Sequence, residues 1–113
     1  QAEVEAARQR REAREQRERE AAEARKQKAR AAHLALVFED ADANWERVER
    51  HTAPTSGRGY SDAARLIRDL ADAHRQHDQE AAFTRRFQKF LEKYQRRRAL
   101  LEKLRKAGLP VDD

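Results

Sequence analysis

A short acidic segment is the first place in this sequence where side chains could bind a metal. Asp40, Asp42 and Asn44 put oxygen ligands at alternate positions, as the opening of a calcium-binding loop does. Such a loop needs Gly at its sixth position and a bidentate Glu at its twelfth, where this chain has Trp45 and His51. We therefore interpret the segment as the solvent-facing side of a helix and predict no calcium site.

The histidines offer a second possible metal site. His74 and His77 are three residues apart and could share a helix face, with His51 near them across a loop, and two or three imidazoles can bind zinc. Histidines near a helix C-terminus are also favoured by the helix dipole. The chain has no Cys, which excludes disulfides, cysteine-ligated zinc and thiol chemistry. We predict no metal and no cofactor.

Nucleophilic and acid–base chemistry also lacks the residues it needs. The hydroxyl side chains are few, none follows a nucleophile-elbow pattern, and Gly57-Arg58-Gly59 is too short for a phosphate-binding loop. Paired carboxylates on exposed helices have no pocket to raise the pKa of one of them. The sequence therefore predicts a protein that is not an enzyme.

Basic side chains are concentrated near the C-terminal end. Residues 79–107 contain ten basic and three acidic residues, although the whole chain has a net charge of only +5. This segment could bind nucleic-acid phosphates, bind an acidic protein surface, or simply balance the acidic residues of the preceding helices. No aromatic residue is left free to stack on bases, which disfavours specific recognition of single strands. The candidate partner-binding residues are Arg85, Arg86, Lys89, Lys93, Arg96, Arg97 and Arg98.

The elements that carry these residues are predicted to be helices. The chain has 113 residues, 42% of them charged, with three Gly and two Pro, which is typical of one all-α domain with a small core. No apolar run approaches the roughly 20 residues of a membrane span, and no signal peptide is recognisable. We expect a cytoplasmic protein and, because the chain begins with Gln1, a piece of a longer one.

Residues 1–33 are predicted to form a charged, Ala-rich helical arm. Val4 is the only large apolar residue among them, so the helix has almost nothing to bury. We interpret the arm as a solvated spacer. Two alternatives stay open, nucleic-acid contact and a coiled-coil homodimer through a weak pairing surface formed by Ala6, Ala13, Ala24 and Ala31.

Residues 34–110 are predicted to form a small domain of three antiparallel helices. The helices cover about 34–51, 61–77 and 79–107, with Ser61 and Asp78 as N-caps, and a tail follows at 111–113. At the end of the third helix, Gly108 is suited to a Schellman motif in which Leu109 contacts Leu104. The long first helix is expected to run into this unit without a break.

Helical spacing of the apolar residues predicts the core of this domain. Continuing that spacing puts Arg97 at a core position, where an unpaired charge would cost several kcal/mol. Either Arg97 finds an acidic partner on the first helix, or the third helix leaves the core there and exposes Arg96 and Arg98. The predicted core residues are Leu34, Val37, Phe38, Trp45, Val48, Leu66, Ile67, Leu70, Phe83, Phe87, Phe90, Tyr94, Leu101 and Leu104.

Residues 45–109 resemble the C-terminal helical tail of bacterial SWIM zinc-finger family proteins. The resemblance rests on Trp45-Glu-Arg-Val48, on the run from Tyr60 to Leu70, and on the apolar positions from Phe83 to Leu109. It implies a helical interaction module attached to something else. The zinc motif of that family needs Cys, so none of its ligands can be assigned here, and the arm is not covered.

Together these patterns predict a non-catalytic helical scaffold or protein-interaction module. Its partner would be another protein or another part of the parent chain. The alternative is an accessory nucleic-acid-binding module that uses the basic third helix.

Overall fold

The computed structural model describes residues 1–112 and contains five helices with no strand among those residues. The predicted all-α class with a long first helix is confirmed. The chain divides into two compact units, Gln1–His33, here called the arm, and Leu34–Asp113, here called the bundle. Asp113, in the predicted tail, lies outside the described residues. The helices are α1 (Ala2–Glu39), α2 (Ala41–Thr52), α3 (Gly57–Gln76), α4 (Glu80–Lys93) and α5 (Arg98–Lys106).

The helix predicted to continue through residue 51 is interrupted at Asp40, which lies between α1 and α2. Short polar side chains compete with the helix backbone for hydrogen bonds, and this segment has three of them in five residues. The buried Asn44 side chain donates from Nδ2 to the carbonyl of Val37, 3.2 Å away, in the last turn of α1. Asn44 thus satisfies one of the carbonyls that a helix end exposes.

Both N-caps predicted for the later helices are wrong. Helix α3 begins four residues before Ser61, and its N-cap is Ser56, whose Oγ accepts a hydrogen bond from the Gly59 amide at 3.0 Å. Asp78 ends α3 rather than beginning α4. It has a φ of 55°, and the amide of Gln79 donates to the carbonyl of His74 at 2.7 Å, which is the Schellman pattern.

The Schellman motif predicted at the end of α5 is confirmed. Gly108 has a φ of 81°, and the Leu109 amide donates to the Leu104 carbonyl at 3.1 Å. Leu109 is buried, so the motif returns the end of the chain to the core. Glycine is favoured at position 108 because the side chain of any other residue would clash with its own backbone at this φ.

The single third helix predicted over 79–107 is wrong, because α4 ends at Lys93 and α5 begins at Arg98. The reason is the charge at Arg97, which lies where the apolar spacing requires a core residue. The chain turns there, and the Arg97 amide donates to the Tyr94 carbonyl at 3.0 Å. This turn changes the helical register, so that Leu100 is fully buried and the predicted Leu101 is only half-buried.

Helices α2, α3 and α4 form the antiparallel three-helix unit that was predicted. Phe38, just before α2, stacks on His77 at the end of α3 with ring centroids 4.0 Å apart. At the other end of the pair, Nδ1 of His51 near the end of α2 lies 3.9 Å from Oδ2 of Asp62 near the beginning of α3. Helix α4 begins near the end of α3, where Phe83 and His74 have ring centroids 5.9 Å apart. Helix α5 packs against α3 as well.

Trp45 lies at the centre of the bundle core. Its side chain is 2% exposed, and its ring centroid lies 6.1 Å from that of Phe83 and 6.0 Å from that of Phe90. Of the predicted core residues, Phe38, Leu66 and Leu101 are half-buried at the edge of this cluster. The buried apolar residues are Leu34, Val37, Trp45, Val48, Tyr60, Ala63, Ala64, Ile67, Leu70, Ala73, Phe83, Phe87, Phe90, Tyr94, Leu100, Leu104 and Leu109.

Phe38 and Leu66 are only half-buried for a geometric reason. An amphipathic helix presents an apolar stripe wider than the strip that touches its neighbours, so residues at its margins stay partly in solvent. Phe38 lies at the end of α1, and its ring is covered by His74 and His77. None of the helices within residues 1–112 is both long enough and apolar enough to cross a membrane.

Candidate protein-interaction surface

A groove with an apolar floor lies between α4 and α5. One wall is a stripe of α4 at helical spacing, and the other is formed by α5 and the following segment. The half-buried Leu91, Leu101 and Val111 supply most of its apolar surface, with a small contribution from the buried Phe83 and Phe87, and its volume is about 580 Å³. The groove exists because the turn at Tyr94–Arg97 separates α4 from α5. The polar residues that line it are Thr84, Gln88, Glu92, Gln95, Arg105 and Asp112.

Three of the seven candidate basic residues make contacts with other side chains or carbonyls of the bundle. The guanidinium of Arg86 lies 5.0 Å from the Trp45 ring centroid, which is a cation–π contact. Lys93 Nζ is 3.1 Å from Glu49 Oε2. Arg97 donates from Nη1 to the Thr52 carbonyl at 2.8 Å. These contacts hold α4 and the turn after it against α2.

Neither of the two alternatives that the sequence suggested describes the contacts of Arg97 completely. The chain does leave the helix at this point, and Arg96 and Arg98 are exposed. Arg97 itself binds main-chain carbonyls at the C-terminus of α2, where the helix dipole favours a cation, instead of an acidic side chain. It also donates to the Tyr60 hydroxyl at 3.2 Å, and its guanidinium lies 5.2 Å from the Tyr94 ring centroid.

The other four candidates form an exposed cationic rim. Arg85 and Lys89 lie about 100° around α4 from the groove residues Thr84 and Gln88, and neither lines the groove. Arg96 directly follows Gln95, and Arg98 lies one helical turn before Leu101 on the same side of α5. These four exposed residues, Arg85, Lys89, Arg96 and Arg98, are here called the cationic rim, and Arg98 is the one that shares a side of its helix with a groove residue.

Lys93 and Tyr94, at the end of α4, both bind the carboxylate of Glu49. The hydroxyl of Tyr94 donates to Glu49 Oε2, which also binds Lys93. Burial raises the pKa of Tyr94 above its usual 10.0, and the hydrogen bond to Glu49 raises it further. Its hydrogen bond and charge interaction with Glu49 raise the pKa of Lys93 too. Both groups therefore stay protonated at neutral pH, and Glu49 locally offsets the charge of Lys93.

The histidines are engaged in packing. Nδ1 of His74 lies 2.7 Å from the Leu70 carbonyl and Nδ1 of His77 lies 2.9 Å from the Ala73 carbonyl, so each Nδ1 carries a hydrogen and donates it. Both rings contact Phe38. Among residues 1–112, no group of three or more His, Cys, Asp or Glu side chains is arranged to hold a metal ion.

The sequence contains a signal for the groove that apolar spacing alone does not use. Phe90–Leu91 and Leu100–Leu101 are apolar doublets, and neighbouring residues on a helix point about 100° apart. One member of each doublet is buried in the core, so the other must face a different direction. Leu91 and Leu101 line the groove.

Comparison with known proteins gives no family for this chain. No protein-family model, no curated protein and no solved structure matches it. The resemblance to the SWIM-family tail therefore stays a prediction.

Proposed function

We propose that the bundle is a non-catalytic protein-interaction module that binds an acidic, amphipathic segment in the α4–α5 groove. The segment belongs to a partner protein or to another part of the parent chain. The observation that supports the proposal is an apolar groove with an exposed cation, Arg98, on the groove side of α5 and another, Arg96, next in sequence to the groove residue Gln95. The apolar floor provides a site for large side chains, and the rim selects a ligand of negative charge.

An amphipathic helix suits this groove better than a nucleic acid does. Such a helix places apolar residues at i, i+3 or i+4 and i+7 on one face and can carry acidic residues on both flanks. Phosphate contacts need cations but no apolar floor. Stacking on bases would need exposed aromatic rings, whereas Phe83 and Phe87 are buried, with 7% and 2% of their surface exposed.

An NMR titration of the full chain tests the proposal. The probe is a synthetic helical peptide with Leu at the i, i+4 and i+7 positions and Glu on its flanks, and the matched control is a scrambled peptide of the same composition. We expect amide shifts at Leu91, Arg98 and Leu101 with the amphipathic peptide only. Equal binding of the scrambled peptide, or shifts confined to other parts of the bundle, would contradict the proposal.

A charge-reversal pair tests the role of the cationic rim. Arg96→Glu together with Arg98→Glu is expected to weaken peptide binding by about tenfold or more while sparing the fold, because both side chains are exposed. The control is Arg58→Glu with Arg75→Glu, an equal charge change at exposed positions of α3, which should retain binding. Micromolar binding of duplex DNA at physiological salt, lost in the Arg96/Arg98 variant, would instead support the nucleic-acid alternative.

A further inference from the structure

The charges of the arm are segregated around the helix. At 100° per residue, Arg10, Arg14, Arg17, Arg25 and Lys28 fall within roughly a quarter of the circumference of α1. These five residues, here called the arm stripe, are all exposed and extend over about 27 Å at 1.5 Å per residue. Glu3, which precedes the first cation of the stripe, is the only acidic residue of the arm that falls within the same sector.

The acidic side chains of the arm lie mostly on the other side, where they bond to neighbours on the same helix. Arg8 pairs with Glu5 and lies 3.9 Å from Glu12, and Gln16 donates to Glu20 at 2.9 Å. These are intrahelical contacts at spacings of three and four residues, which stabilise a solvated helix. No arginine of the arm stripe takes part in them.

Small side chains lie between the cations of the stripe. Ala7 and Ala13 border a shallow depression that is otherwise lined by Arg10, Arg11, Arg14 and Arg17. Ala21 falls in the middle of the stripe sector. A ligand can therefore approach the helix backbone closely while several guanidinium groups reach it from the two sides.

We propose that the arm binds the phosphate backbone of duplex nucleic acid through the arm stripe. A row of cations with no acidic residue between them in the same sector suits a backbone that carries phosphates at short intervals. Arginine is suited to this contact because its planar fork can bind two phosphate oxygens at once. The contact would be independent of base sequence, since contacts to phosphates carry no sequence information directly.

An acidic protein partner fits the arm stripe less well. Protein interfaces depend on a few large apolar or aromatic anchors that are buried at their centre. The sector of the stripe supplies only alanine between its charged residues. A partner bound here would gain charge neutralisation and counterion release, and these are the contributions that dominate binding to a nucleic-acid backbone.

Salt-dependent binding measurements on the full chain test this inference. The probe is a fluorescent DNA duplex of random sequence, and its anisotropy is measured over a series of salt concentrations. If all five stripe cations contact phosphates, the log–log slope of affinity against salt is about −4.5. Replacing two of them in the variant Arg14→Gln/Arg17→Gln should make the slope shallower by about two units.

The matched control removes the same charge from the other side of the helix. The variant Arg8→Gln/Arg19→Gln should keep the wild-type slope, and circular dichroism checks that the arm stays helical in both variants, since Arg8 and Arg19 also make intrahelical contacts. The proposal would be overturned if the slope became shallower by the same amount in both variants, or if it stayed unchanged in Arg14→Gln/Arg17→Gln. The proposal would also be overturned if polyglutamate competed with the fluorescent duplex as effectively as unlabelled duplex does at physiological salt. A loss of DNA affinity seen only in the variant Arg96→Glu/Arg98→Glu would place DNA binding in the bundle and not in the arm.

Discussion

Gly57 and Gly59 lie in the first turn of α3 and differ sharply in the space around them. A Cβ atom at Gly59 would lie 2.3 Å from the His51 carbonyl oxygen and 2.9 Å from Ser56 Oγ, whereas nothing lies within 4 Å of the same position at Gly57. Gly59 therefore allows the close approach of α3 to the end of α2. The Gly59 amide is also the donor to the Ser56 cap.

Alanine substitutions at these two glycines should have opposite effects on stability. Gly59→Ala is expected to destabilise the bundle by about 1–3 kcal/mol, since backbone atoms must move to accept the methyl group. Gly57→Ala should be neutral or stabilising by up to about 1 kcal/mol, because it lowers the entropy of the unfolded chain. Urea denaturation of the two variants provides the measurement. A Gly59→Ala variant as stable as the wild type would show that the contact is not close.

At the scale of the elements, the turn between α4 and α5 is the feature that shapes the candidate surface. Arg97 joins this turn to the C-terminus of α2 and to Tyr60 on α3. Because a charged donor forms these bonds at a half-buried position, they contribute more than a bond between neutral, exposed groups does. The same contact orients Arg96 and Arg98 toward solvent beside the groove.

Replacing Arg97 should therefore cost much more than replacing its neighbour. Arg97→Ala is expected to lower the free energy of unfolding by about 2–3 kcal/mol, since it leaves the Thr52 carbonyl without its charged donor. Arg96→Ala, at an exposed position, should change it by less than about 0.5 kcal/mol. Thermal or chemical denaturation compares the two variants directly. Similar losses in both would contradict the anchoring role assigned to Arg97.

At the scale of the whole molecule, the two compact units differ in what they bury. The bundle buries a continuous cluster around Trp45. In the arm, every side chain is exposed apart from the half-buried Ala6. A helix without an apolar face gains little from packing, and its contribution to the stability of the bundle should be small.

Deleting residues 1–33 should consequently leave the melting temperature of the bundle nearly unchanged. Trp45→Ala should destabilise the full chain and the shortened chain equally, by about 3–5 kcal/mol, because it creates a cavity in the same core. Scanning calorimetry measures both effects, and sedimentation of the two chains tests the pairing alternative. A dimer that becomes a monomer on deletion would favour the Ala-rich pairing surface over the solvated spacer.

The sequence by itself determined the helical class, the residues at the centre of the core and the motif that ends α5. Trp45, Phe83, Phe87 and Phe90 follow helical spacing, and they are buried together because spacing alone decides which face of a helix is apolar. Gly108 was predictable for a similar reason. Its neighbours Leu104 and Leu109 form a local pattern, and the Schellman motif depends on local contacts.

Only the tertiary structure decided where helices stop and which cations remain exposed. The turn at Tyr94–Arg97 depends on contacts between distant parts of the chain, such as that of Arg97 with Thr52, 45 residues apart. The contacts of Arg86, Lys93 and Arg97 engage their charges within the bundle, although Lys93 itself is exposed, and leave the cationic rim in solvent. Residue type fixes that an arginine is charged, but the nearest carbonyl, carboxylate or aromatic ring decides whether that charge is available to a partner.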